Sequence, residues 1–215
     1  MARYQKPAPL NIKAEDAWGA ACQAQRLNQG YIKVDEDAPA GESNRKLVMN
    51  LVADPRMINA EDYEQGKLVR KYFQGYTFKI LKGIKLSEFD NNAMLLANRD
   101  TIDTAYDIAV LTSLPSSYER GIKRQSVEER ISFARGKLIG RVTDKVSTSI
   151  EVLKSFYSQQ WHTNYITGIT SDDHVLFFAY KQPLEVGKMF DLYGTVKAHR
   201  DNITQLNRVK IISVV

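Results

Sequence analysis

Aromatic and basic side chains recur through the last third of the chain in a pattern suited to holding a polyanion. Phe156 and Tyr157 are followed by Trp161, His162 and Tyr165, and then by Phe177, Phe178 and Tyr180. Each flat ring offers a nucleobase a stacking face worth about 1–3 kcal/mol, whichever base it is. Lys197, His199, Arg200, Arg208 and Lys210 come next. Cations so placed neutralise phosphates and release counterions, the main source of sequence-independent affinity. The same rings also serve as core, and the same cations as a solvated outer face.

Strand periodicity sharpens the expectation, because alternate residues face opposite sides. Of Phe156 and Tyr157, one is expected inside and the other outside. Phe178 and Tyr180 share a face, with Phe177 opposite. Lys197 and His199 share a face of their strand, as do Arg208 and Lys210 of theirs. Tyr180 is favoured as a ligand contact because its hydroxyl fits poorly in an apolar interior. Arg120, Lys123 and Arg124, in Arg-Gly-Ile-Lys-Arg-Gln, extend a phosphate track or, more simply, form a soluble connector.

Signatures of catalysis are missing. Gly-Lys-Leu-Ile-Gly-Arg-Val has the wrong spacing for a phosphate-cradling loop. His162, His174, His199 and Cys22 are the only histidines and cysteine, and they are too scattered for a zinc pattern. Asp172-Asp173-His174 reads as a hairpin tip rather than a metal group. The expectation is a protein that is not an enzyme and takes no cofactor or metal.

Five strands must position these residues: 136–158, 161–171, 174–182, 188–200 and 203–213. Each is rich in β-branched and aromatic residues, and turn formers such as Ser171-Asp172-Asp173 and Asp201-Asn202 separate them. The first is long enough to bend and serve two sheets, as a small closed barrel requires. The composition therefore predicts an α+β chain: a mainly helical region, 1–135, and a five-stranded antiparallel barrel of the OB type, 136–215.

Ahead of the barrel, the first 13 residues, with Pro7 and Pro9, read as a loose arm. Helices are expected over Ala14–Leu27, from Asn44 to Val52, from Asn59 through Phe73, and after Ser87. Tyr31–Val34 is a short strand candidate. The stretch from Ile102 to Leu114 fits a buried strand or a buried helix, ended by Pro115. Ser126-Val127-Glu128-Glu129 has the form of a capping box that starts a last helix running to about Arg135.

The chain is 215 residues long, with net charge +5, of which +3 follows Gly136. That balance suits a polyanion partner without requiring one. No apolar run approaches the roughly 20 residues of a membrane span. A single cysteine and an N-terminus without an apolar leader predict a cytoplasmic protein.

The run Gly194-Thr195-Val196-Lys197-Ala198-His199-Arg200 continues through Thr204-Gln205-Leu206-Asn207-Arg208-Val209-Lys210. Together with Ser155 to Trp161 and Phe177-Phe178, it resembles the OB domains of bacteriophage single-stranded DNA-binding proteins. The resemblance implies that the barrel coats or protects single-stranded DNA in replication, recombination or repair, in the host cytoplasm, alongside replication proteins. It assigns strand contact to Phe156, Tyr157, Trp161, Tyr180, Lys197, His199, Arg200 and Arg208, and Lys210 lies on the same strand. Proteins of that type often end in an acidic tail, whereas this sequence ends Ile-Ile-Ser-Val-Val. A second expectation makes the barrel an interaction module whose helices dock onto a replication or host protein. RNA is a third possible ligand.

Overall fold

A computed structural model describes residues 9–134 and 136–214. The chain divides into two compact units, Met1–Ile122 and Lys123–Val215. Most of the arm predicted at the N-terminus lies outside the described residues. Its end does not: Ile12–Lys13 (β1) pairs antiparallel with Thr101–Ile102 (β2).

Helix α1, Ala14–Leu27, runs through the middle of the first unit and is buried along most of its length. Alanines let neighbouring helices approach it closely. Gly66, on α3 (Ala60–Gln74), lies so near that an added Cβ would sit 2.9 Å from the backbone of Trp18 and of Gly19. Helix α2 is Asn44–Ala53, α4 is Tyr76–Leu81 and α5 is Glu88–Ala97. Trp18, Phe73, Tyr72 and Tyr118 form an aromatic chain at the core, with Tyr72 edge-on to both Phe73 and Tyr118 at 5.1 Å.

Three local expectations change. Tyr31–Val34 is not a strand, because buried Asn44 takes over its hydrogen bonding. The Asn44 amide accepts from Ile32 N–H at 2.9 Å and donates to the Gly30 carbonyl at 3.0 Å. The ambiguous segment resolves into β2 and a helix, α6 (Ala105–Leu111), and Thr104 and Asp107 form its capping box. The box proposed at Ser126 is absent, since that residue lies inside α7, Leu114–Ala134. Pro115 sits in the first turn of α7, where a missing N–H costs nothing and the fixed φ suits a helix. Arg135 lies outside the described residues.

In the second unit, β3 (Lys145–Ser158), β4 (Thr163–Ile169), β5 (Val175–Tyr180), β6 (Met189–Arg200) and β7 (Ile203–Val214) close a barrel in the order β3-β4-β5-β7-β6. The barrel is mixed rather than purely antiparallel, because β5 and β7 run parallel. Counting explains the correction. In a closed ring of five strands directions cannot alternate all the way round, so at least one neighbouring pair must be parallel.

Strand β3 serves two partners, as its length suggests. Residues 145–151 pair with β6 and residues 151–158 with β4. A bulge between Val152 and Lys154 makes Leu153 an extra residue. Val152 thus packs inside the barrel, while Leu153 packs with Ile131 and Ala134 of α7 and with Ile169 and Val175. Arg130 and Glu151 add a two-pronged ion pair at 2.7 and 2.9 Å. Among the described residues, no helix is long and apolar enough to cross a membrane.

Candidate nucleic-acid interface

The barrel core fixes which side chains face out. Ile166, Phe178 and Leu206 are buried on adjacent strands β4, β5 and β7. Their chain neighbours Tyr165, Phe177 and Gln205 therefore turn outward. Tyr165 pairs with Ala179, and Thr167 with Phe177, so the two rings are diagonal neighbours. They lie parallel within 4°, centroids 5.7 Å apart, in an offset stack. Gln205 is the register partner of Phe177 across the parallel pair.

These residues line a depression of about 230 Å³ with Lys197, Asn207 and Arg208. Lys197 occupies a bulge: Val196 pairs with Leu206 and Ala198 with Gln205, which leaves it without a partner on β7. Arg208 lies in a second irregularity, between the Thr195–Asn207 and Tyr193–Lys210 pairs, with φ of 51°. Among the described residues, neither cation has an ion-pair partner. The arrangement joins a two-ring platform, two free cations and two amide side chains on one open face.

The remaining candidates scatter around this set. Phe156 is opposite Tyr165 in register and extends its face outward. Phe156 and Tyr157 are both exposed, at 67% and 50%, against the expectation that one turns inward. They lie near the end of β3, where the strand outruns the core. Trp161 is 65% exposed in the β3–β4 turn, close in sequence to a contact between Tyr157 Oη and His162 Nδ1 at 3.3 Å. Tyr180 lies on the other side, packed against the barrel core with Phe178.

His199 does not share a face with Lys197, because the bulge intervenes. It pairs with buried Thr204, and its ring nitrogens meet the Gly140 carbonyl at 3.1 Å and the Thr204 hydroxyl at 3.2 Å. Arg200 is exposed beside the Asp201-Asn202 turn, whose two residues have φ of 53° and 61° as a tight hairpin requires. Lys210 pairs with Tyr193 farther along the outer face, and Lys145 of β3 pairs with Thr195 there. Asp191 bounds this stripe. Hydrogen bonds from Ser149 and then Ser213 hold its carboxyl below the usual range, fixing a negative charge that repels phosphate.

Asp173 and His174 are occupied structurally, by an ion pair to Lys137 at 2.7 Å and a contact to the Lys137 carbonyl at 3.1 Å. Among the described residues, no group of three or more His, Cys, Asp or Glu side chains gathers where it could hold a metal ion. No family model, curated protein or solved structure matches the chain.

Tyr165 and Phe177 belong to the aromatic clusters of the sequence but not to its predicted contact set. Parity finds them once Ile166 and Phe178 are known to face inward. Lys145, Gln205 and Asn207 carry no comparable sequence signal, since only the register brings them to this face.

Proposed function

We propose that the chain is a non-enzymatic single-stranded DNA-binding protein whose OB-type barrel coats or protects the strand in replication, recombination or repair. The outward stack of Tyr165 and Phe177, with the free cations Lys197 and Arg208 beside it on the next two strands of the barrel, carries the reading. Such a face takes a base on the rings and phosphates on the cations, with little dependence on sequence. The strand order, with its one parallel pair between the third and fifth barrel strands, supports the OB assignment, as does the long, bent first strand. The resemblance of 194–210 to phage proteins of this class supports the same function.

The test is fluorescence anisotropy of a labelled single strand of about 30 nucleotides, longer than a single OB site. Binding is expected to be tight at low salt, to weaken steeply as salt rises, and to resist duplex competitor. A matched RNA competitor separates the two strand chemistries. No binding at low salt would overturn the proposal.

A further inference from the structure

Residues 77–85 of the helical unit, which make up α4 after its first residue and the turn that follows, are exposed without interruption. Phe78, Ile80, Leu81 and Ile84 present large apolar surfaces to water, with Leu81 76% and Phe78 67% exposed. Lys79, Lys82 and Lys85 alternate with them, and no acidic residue occurs from Gln65 to Ser87. Among the described residues, none of these lysines has an ion-pair partner; Lys79 lies over the Tyr76 ring at 3.6 Å.

Exposed apolar surface of this extent marks an interaction site, and the interleaved lysines specify an anionic occupant. A nucleic-acid strand fits poorly, because three of the four apolar side chains are aliphatic and offer a base no ring face. The same unit carries a surface of opposite character. Around the turn Asp35–Asp37, Val34, Pro39 and Ala40 are exposed beside Glu36 and Asp37. Asp35 and Glu42 are already engaged by Lys46, at 3.7 and 3.0 Å, whereas Glu36 and Asp37 are free among the described residues. Apolar and basic thus meets apolar and acidic. Pairing the basic segment with itself would set lysine against lysine, so the contact must join unlike surfaces of two copies. Such a head-to-tail contact need not close and continues from copy to copy.

We propose that segment 77–85 of one copy docks on the acidic turn 34–40 of the next copy along a bound strand. This rests on the strand-binding reading. Shared occupancy of one strand raises the local concentration of neighbours, so a contact that is weak in free solution becomes cooperative coating.

The test compares a short oligonucleotide, holding one copy, with a long single strand. It uses three full-length variants: K79E/K82E/K85E, E36K/D37K, and the two combined. Each of the first two is expected to keep the short-oligonucleotide affinity and to lose on the order of tenfold or more in cooperativity on the long strand, from juxtaposed like charges. Mixing them restores cooperativity, because every junction of an alternating array then pairs opposite charges. The combined variant regains it alone. Wild-type cooperativity in the single-surface variants, or no rescue by mixing or by combination, overturns the proposal. So does non-cooperative wild-type binding, which leaves strand binding intact. A loss of short-oligonucleotide affinity in K79E/K82E/K85E would assign the lysines to the strand instead. If the wild type binds no strand, the functional reading fails. Sedimentation of the free protein then decides the contact: self-association abolished by each reversal and rescued on mixing upholds the pairing, and its absence refutes it. Binding of segment 77–85 to phosphatidylserine vesicles without self-association would likewise overturn the proposal in favour of a lipid surface.

Discussion

Phe177 and Phe178 are consecutive residues with opposite duties, and replacing each with alanine should separate binding from folding. Phe177 is half-buried, faces out and stacks on Tyr165; Phe178 is 1% exposed in the barrel core. Removing the Phe177 ring forfeits a base-stacking contribution of about 1–3 kcal/mol. At 1.4 kcal/mol per tenfold, that weakens strand binding roughly five- to 140-fold. Its cost to stability is centred on the lost ring pair, about 0.5–1.5 kcal/mol. Phe178→Ala instead empties a core position, at about 3–5 kcal/mol, while any folded fraction keeps its affinity. Anisotropy titration at low salt and urea unfolding, run on the same preparations, give both numbers. Tyr165→Ala should behave like Phe177→Ala. The double variant should lose less than the sum of the two, because the rings form one surface. Unchanged affinity in a folded Phe177→Ala protein would refute the placement of the strand on this face.

The remaining predictions address charge, packing and pH. Lys197→Ala and Arg208→Ala should each weaken binding on all strand sequences and reduce the salt slope by about one phosphate contact; a slope identical to wild type would remove that cation from the strand's path. Gly66→Ala should cost about 1–3 kcal/mol or more in thermal unfolding, because its Cβ would meet the α1 backbone at 2.9 Å and backbone cannot swing aside. A variant as stable as wild type would show that α1 and α3 can separate freely. The Arg130 guanidinium, hydrogen-bonded to Glu151, holds that carboxyl below the usual range. Its stabilisation is therefore full above the unfolded carboxylate pKa of about 4.3 and is lost as pH falls through the lower folded value. Because the pair is partly exposed, Glu151→Gln should cost only about 0.5–1 kcal/mol at neutral pH. That cost should vanish in acid, and urea curves showing the same cost at both ends would contradict the assignment.

The five barrel strands are legible because β-branched and aromatic runs alternate with Asp, Asn and Ser turns; each run overlaps one strand of the barrel, although the first strand begins at Lys145 rather than at 136. The parallel pair runs against the antiparallel expectation, although an odd strand count and closure together require one such pair without any residue-level signal. Side-chain facing was less accessible. Parity works from Val175 to Tyr180, where β5 is regular, and fails at His199, because one extra residue at Lys197 reverses the count. Nothing in Val-Lys-Ala-His announces that bulge. The helical unit shows the other limit. Ser126 and Thr104 both precede an acidic residue at capping-box spacing, yet only Thr104 follows an extended segment that leaves free amides to cap. Asn44 opens its helix as expected but also ties down the preceding loop, a role set by burial that local sequence does not carry.

Lys197 and Leu153 have something in common: each is a residue that its strand ladder does not count. Delete either, and the pairs on both sides still meet, Val196 with Leu206 beside Ala198 with Gln205, Val152 with Gly168 beside Lys154 with Thr167. Arg208 stands in a similar surplus stretch of β7. Wall and instrument are thus written in different letters of the same strand. The paired residues answer to the geometry of closure, whereas the surplus ones answer to what lies outside it: Leu153 to the helix it packs against, and exposed Lys197 to solvent alone, where charge, size or shape can change without disturbing the ladder. A barrel built this way can gain or lose a charge at the Lys197 bulge by an edit its architecture would not register.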